Sequence, residues 1–254
     1  KVLGMVTVLA LSVSLLAGCG STAASPVSSA ASTAAESTTS SVVSEATSAA
    51  ADENAAAAAQ LLNDLTGSYQ ELWPVILADE YKQTWLDDCT ALVGEDNAEA
   101  AFEKLSSMVT GDVYGEDAVK AYANGGGAYF CGFTNDLATL TFDGEASTIS
   151  GTDKDGNELF SHPYHYIGME PVRGLYEFES DDADSGEFTY FFLAPDTSAE
   201  TYHIEFRYGS DADALSQYDA GDYAYWLASG ISTDCDQTMI DNCIELFCTE
   251  NLAG

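Results

Sequence analysis

From residue 128 onward, short runs rich in Phe, Tyr, Thr and Ile alternate with clusters of Gly, Asp and Ser. The clearest case lies between Gly186 and Asp211, where runs at 187–194 and 201–209 flank the turn residues Pro195, Asp196, Thr197 and Ser198. That composition predicts a β-hairpin. In the second run His203, Glu205 and Arg207 recur every two residues, so they share one face, with Tyr202, Ile204, Phe206 and Tyr208 on the other. Similar runs fall at 128–133, 138–144, 147–153, 158–168 and 174–180, with turns at 154–157 and 181–184 between them. Six or more antiparallel strands at this spacing predict a barrel or a sandwich. Before the strands, residues 79–123 are helical in character, with Ala101, Leu105 and Met108 at helical spacing as core. Residues 124–127, Asn-Gly-Gly-Gly, break that pattern and form no phosphate loop, because no Gly-Lys-Ser/Thr follows. After the strands, residues 233–252 predict a helix with Met239, Ile240, Cys243, Ile244 and Phe247 on one side. The fold class is therefore mainly β with flanking helices.

The first sixty residues change the picture. A basic Lys1 precedes an apolar run, Val2 to Leu16, that closes on Leu16-Ala17-Gly18-Cys19. The run is short for a membrane span and has the flanks of a signal peptide, and its last four residues form a bacterial lipobox, which makes Cys19 the expected lipidation site. Residues 1–19 are thus expected to be a lipoprotein signal, and residues 20–60, rich in Ser, Thr and Ala and free of aromatics, a disordered tether. The alanines at 55–59 read as the start of the first helix of the folded part. Residues 61–254 have the length of one domain. The expected location is the cell surface or the extracytoplasmic face of the membrane, held there by lipid.

Charge and cysteine content narrow the partners. The 254 residues carry 42 Asp and Glu against 7 Lys and Arg, a formal net charge of −35. A surface this acidic repels nucleic acid and anionic headgroups and attracts cations. Besides Cys19 there are Cys89, Cys131, Cys235, Cys243 and Cys248, none in a C-x-x-C pair. In an oxidising compartment at least one of the last three is expected in a disulfide, with Cys89 as the candidate partner. Cys131, among aromatics, reads as a buried free thiol. No nucleophile elbow, H-E-x-x-H or phosphate loop is present, so the chain is not expected to be an enzyme.

The order of motifs resembles the ZinT-type zinc-binding domain, a lipocalin-like (calycin) barrel found free in the bacterial periplasm and fused to surface zinc-uptake lipoproteins. The resemblance rests on Gly67 to Pro74, where the family writes G-x-W-x-S-x-Y-P, on Leu137–Phe142, and on Tyr164 to Gly168 against Y-x-Y-x-G. It continues through Leu175 to Glu179, Leu193-Ala194-Pro195 against I-A-P, and Tyr223 to Trp226. It spans residues 65 to 252. The resemblance implies a calycin barrel with a helical segment before the strands and a C-terminal helix. It also implies zinc as the bound metal, and a zinc-uptake transporter component as a possible partner.

The family binds zinc through three histidines, one before I-A-P and two in an H-x-H on the next strand. Carried over, the H-x-H falls on His203 and Glu205 and the first histidine on Phe191. One ligand type is kept, one becomes a carboxylate and one is lost, which implies a degenerate site with weaker zinc binding. Two readings of the pair stand open: metal ligands, or a polar pair with Glu205 bridged to Arg207. His162, in Ser161-His162-Pro163, reads as a turn residue, and His165 shares a strand face with Pro163 and Ile167. The expected function is a lipid-anchored extracytoplasmic protein that binds a divalent metal, zinc first, and contributes to zinc uptake or homeostasis. The alternative is a divergent ZinT-like surface module that has lost zinc and binds another small ligand or a protein.

Overall fold

The computed structural model describes residues 53–109, 129–194 and 203–252. The signal segment with Cys19, residues 20–52 of the tether, the Gly-rich break at 124–127 and the turn at 195–198 lie outside them. So do the helical pattern beyond residue 109 and the side chain of Met108.

Eight strands form a closed barrel in which every strand pairs antiparallel with its neighbours in sequence, and β8 pairs back to β1. They are β1 (Gly67–Glu71), β2 (Thr139–Asp143), β3 (Thr148–Thr152), β4 (Glu158–Met169), β5 (Tyr176–Ser180), β6 (Tyr190–Leu193), β7 (His203–Gly209) and β8 (Ala228–Ser232). This is the calycin-like architecture implied above. Closure leaves no named strand of the barrel without a partner on either side, which removes the template for edge-to-edge pairing.

The strands alternate as period-two side chains require. On β4, Phe160 and Tyr164 are buried while Ser161, Pro163, His165 and Ile167 are exposed. The inward residues fill the barrel with rings. Phe160 stacks on Phe188 at 4.0 Å between centroids, Phe191 on Tyr208 at 5.3 Å, and Tyr208 meets Trp226 edge-on at 5.0 Å. The interior is thus a packed aromatic core.

Helices supply a second layer. Residues 53–64 form α1, so the alanines at 55–59 do start the first helix, and residues 53–60, counted above with the tether, are helical. Ala58, Leu61 and Leu62 pack this helix into the barrel core. Its backbone passes so close to the β2–β3 turn that a Cβ on Gly144 would meet Asn63 Cα at 2.4 Å, which explains a glycine there. The remaining helices before β2 are inserted after β1 rather than placed before all the strands: α2 (Leu72–Ile76), α3 (Lys82–Val93) and α4 (Glu95–Val109). A short α5 (Ala212–Leu215) follows β7, and α6 (Gln237–Leu252) ends the fold. Trp85, Cys89, Ile244 and Cys248 from α3 and α6 join Leu72, Trp73 and Ile76 of α2 and Ile231 of β8 in a second apolar core. Ile231 lies on the outer wall, so this core sits between helices and barrel. Among the described residues no helix is long and apolar enough to cross a membrane.

Two expected elements differ. The aromatic run at 128–133 makes no strand in its described part: Phe130 forms one isolated parallel bridge with Trp226. The first half of the expected hairpin starts later, because residues 186–188 form a 3-10 turn and β6 begins at Tyr190.

Candidate functional site

β7 lies between β6 and β8, and its sequence alternates as expected. Ile204, Phe206 and Tyr208 are buried in the barrel core, while His203 and Glu205 are half-buried on the outer face. Across the wall His203 is opposite Ile231 and Glu205 is opposite Ser229. This outer face is the one that the helices cover. Between it and α2 and α6 lies a cavity of about 40 Å³. Its apolar walls include Leu72, Trp73, Ile76 and Phe247, and its polar lining is His203 and Glu205 from β7 with Cys243 and Glu250 from α6. A cavity needs about 10–15 Å³ for one water, so this one has room for about three waters or for an ion that has shed most of its hydration shell.

The donor set is an imidazole nitrogen, two carboxylates and a thiol, a chemistry that suits a borderline cation such as zinc. The spacing is less complete. Among the described residues no group of three or more His, Cys, Asp or Glu stands close enough to hold a metal ion. His203 and Glu205 are brought together by the strand; Cys243 and Glu250 border the same space from the facing helix. Sequence reasoning did not connect those two α6 residues with β7, because that proximity exists only once α6 docks on the wall.

A further thiol stands near Glu205. Burial pushes the Cys131 thiol up to about 12, and the Glu205 carboxylate adds to the effect, while Ser229 and Trp73 oppose it. Cys131 is therefore a protonated, buried thiol at neutral pH, and it is free.

Phe191, the position to which the resemblance assigns the family's first histidine, is fully buried and paired with Tyr208 on β7. Its ring meets Tyr164 edge-on at 5.4 Å. It therefore points into the barrel, away from His203 and Glu205, and cannot complete their site. The register puts Phe192 opposite Arg207, and the Ala194 N–H donates to the Glu205 carbonyl at 2.9 Å. Outward positions on this side are thus 192 and 194. A single-residue slip in a strand exchanges the two faces, and that is the size of the discrepancy.

Arg207 departs from the reading that bridged it to Glu205. It is fully buried, with its guanidinium on the carbonyls of Leu215, Gln217 and Tyr223 and 4.4 Å above the Tyr218 ring. It fastens the 215–223 segment to the outside of β7. The other histidines lie on β4, three strands away around the barrel. His162 is a mid-strand residue rather than a turn residue, with Nδ1 2.8 Å from Asp182 Oδ2. His165 is exposed, with Nδ1 2.7 Å from Asp181 Oδ1 and Nε2 4.0 Å from Glu179 Oε2.

No protein-family model matches this sequence, and no curated protein matches it. Two solved structures are similar in fold. The Zn(II)-bound ZinT-like domain of Streptococcus pneumoniae AdcA superposes with a TM-score of 0.46 at 15% identity, covering 72% of this chain and 89% of that one. Zn(II)-bound AdcA from the same organism gives 0.43 at 15% identity, covering 74% of this chain but only 35% of its own length.

Proposed function

We propose that this chain is a lipid-anchored, extracytoplasmic metal-binding domain that takes a divalent cation, zinc first, into the cavity between β7 and α6. The observation that carries the reading is that His203 and Glu205, chosen from strand alternation, line one small cavity with two further donor-bearing side chains. His203 and Glu205 are the donors on a stiff element. Glu250, at the last turn of α6, is the third, and the buried Cys243 thiol lines the same cavity. A site of one imidazole and two carboxylates holds zinc more weakly than a set of three imidazoles. It therefore suits buffering and hand-over to an uptake system rather than permanent storage. The role is binding, not catalysis. Because an imidazole must be neutral to act as a ligand, affinity falls in acid as His203 takes up a proton.

Isothermal titration of the full chain with zinc is the test, with His203→Ala, Glu205→Ala and Glu250→Gln beside the wild type. The reading expects one site per chain, with each of the three variants weakening it about tenfold or more. Wild-type affinity in both β7 variants would place any metal elsewhere. No zinc uptake by the wild type would leave the second reading, a barrel of the same design that has given up its metal.

A further inference from the structure

Two cysteines far apart in sequence meet in the second core. Cys89 on α3 and Cys248 on α6 are separated by 159 residues, and their sulfurs are 3.9 Å apart. Both are fully buried. They lie among Trp85, Ile244 and Ile231 where the two helices pack on each other and on the barrel wall. Both thiols are free in this structure, and a disulfide requires the sulfurs about 2 Å closer, at about 2.05 Å.

We propose that Cys89 and Cys248 form a disulfide that fastens α6 to α3 and so holds the helix that roofs the His203–Glu205 cavity. Residues 243 to 250 of α6 supply Cys243, Leu246, Phe247 and Glu250 to that cavity, and Cys248 lies among them. The bond would therefore fix the rotation and height of the helical turns that face β7. The proposal rests on the extracytoplasmic placement proposed above, but not on the metal.

The chemistry is thiol–disulfide exchange with a disulfide oxidant, either a small-molecule disulfide or an oxidised dithiol carrier. One cysteine thiolate attacks the oxidant and forms a mixed disulfide, and the second cysteine displaces it. The Sγ–Sγ bond forms, both S–H bonds are lost, and their two protons and two electrons pass to the oxidant, whose S–S bond breaks to give two thiols. Burial raises the pKa of both thiols, so in the folded domain exchange is slow in either direction. The bond is therefore made as the chain folds, and burial then shields it from reductants. The contrary reading is a pair of reduced thiols packed as small apolar groups.

The full chain, refolded in a mixture of oxidised and reduced glutathione, alkylated and digested without reduction, decides between them. The expected result is one cross-linked peptide pair joining Cys89 to Cys248, two hydrogens lighter than the reduced peptides together and abolished by dithiothreitol. Reduction should also lower the melting temperature by about 5–15 °C. Cys89→Ser and Cys248→Ser should each lack that reduction-dependent shift. Alkylated Cys89 and Cys248 in the oxidised sample, or a cross-link from either to another cysteine, overturns the proposal. If the variants do not fold, the wild-type peptide map alone decides. A failure of zinc binding shows in the titration and leaves this peptide map unchanged, so the two readings fail separately.

Discussion

Phe191 and Ala194 stand three residues apart and face opposite sides of the barrel wall, and this parity gives the sharpest test of the site. Phe191→His should bring no gain in zinc affinity, because its side chain enters the aromatic core. It should also cost about 3 kcal/mol or more of stability in urea unfolding, through lost packing and a buried polar ring. Ala194→His is the opposite case. Its backbone is bonded to Glu205 and the register gives this buried position the outward parity, so the histidine should raise zinc affinity about tenfold over the wild type. If Phe191→His tightens zinc and Ala194→His does not, the register of the β6–β7 pair is wrong as described. The site was legible in the sequence as far as alternation carries, since His203 and Glu205 do share a face. The third position was not legible. A motif alignment is indifferent to one residue of slip, whereas a strand turns that slip into a change of face.

At the scale of elements, α3 and α6 are joined by apolar contacts and divided by charge. Trp85 is fully buried, donates its Nε1–H to the Ile76 carbonyl at 2.7 Å and meets Phe247 edge-on at 5.9 Å. Beside it, burial together with the nearby Glu245 and Asp241 holds the Asp88 carboxyl above the usual carboxylate range. A folded-state pKa raised in this way gives stability that is fully present below the unfolded value and is lost as the pH rises through the folded one. Asp88→Asn should therefore raise the melting temperature at pH 7 by about 1–4 °C and change nothing near pH 3. A thermal scan at the two pH values checks it, and an equal shift at both would assign the effect to packing. Strands β2 to β5 were legible because β-branched and aromatic residues alternate between clear turns. β8 was not, since Ala228-Ser229-Gly230 has weak strand propensity and is held by partners on both sides. The reverse error fell on residues 129–133, where aromatic content suggested a strand. There the backbone bonds run instead to 225–229, with Phe130 N–H to the Tyr225 carbonyl at 2.8 Å and Ser229 N–H to the Cys131 carbonyl at 3.0 Å.

For the whole molecule the net charge of −35 is the dominant feature, and its effect depends on the solvent. Mutual repulsion among carboxylates opposes the compact state, and salt screens it over a Debye length of about 8 Å at physiological strength. The melting temperature should rise between 20 mM and 300 mM sodium chloride; a flat or falling response would mean that local ion pairs outweigh the net field. The proposed anchor is tested on the whole chain too. Cys19→Ala should shift the protein from the membrane pellet to the soluble fraction, and retention in the pellet would dismiss the lipoprotein reading. Closure of the barrel has a further consequence, for timing. Tyr69 of β1 finds its partner in Ser232 of β8, so the first strand made waits for the last. Until residue 232 is available the barrel cannot close. For a chain exported as proposed above, barrel closure is therefore a late, long-range step that waits until the last strand has crossed.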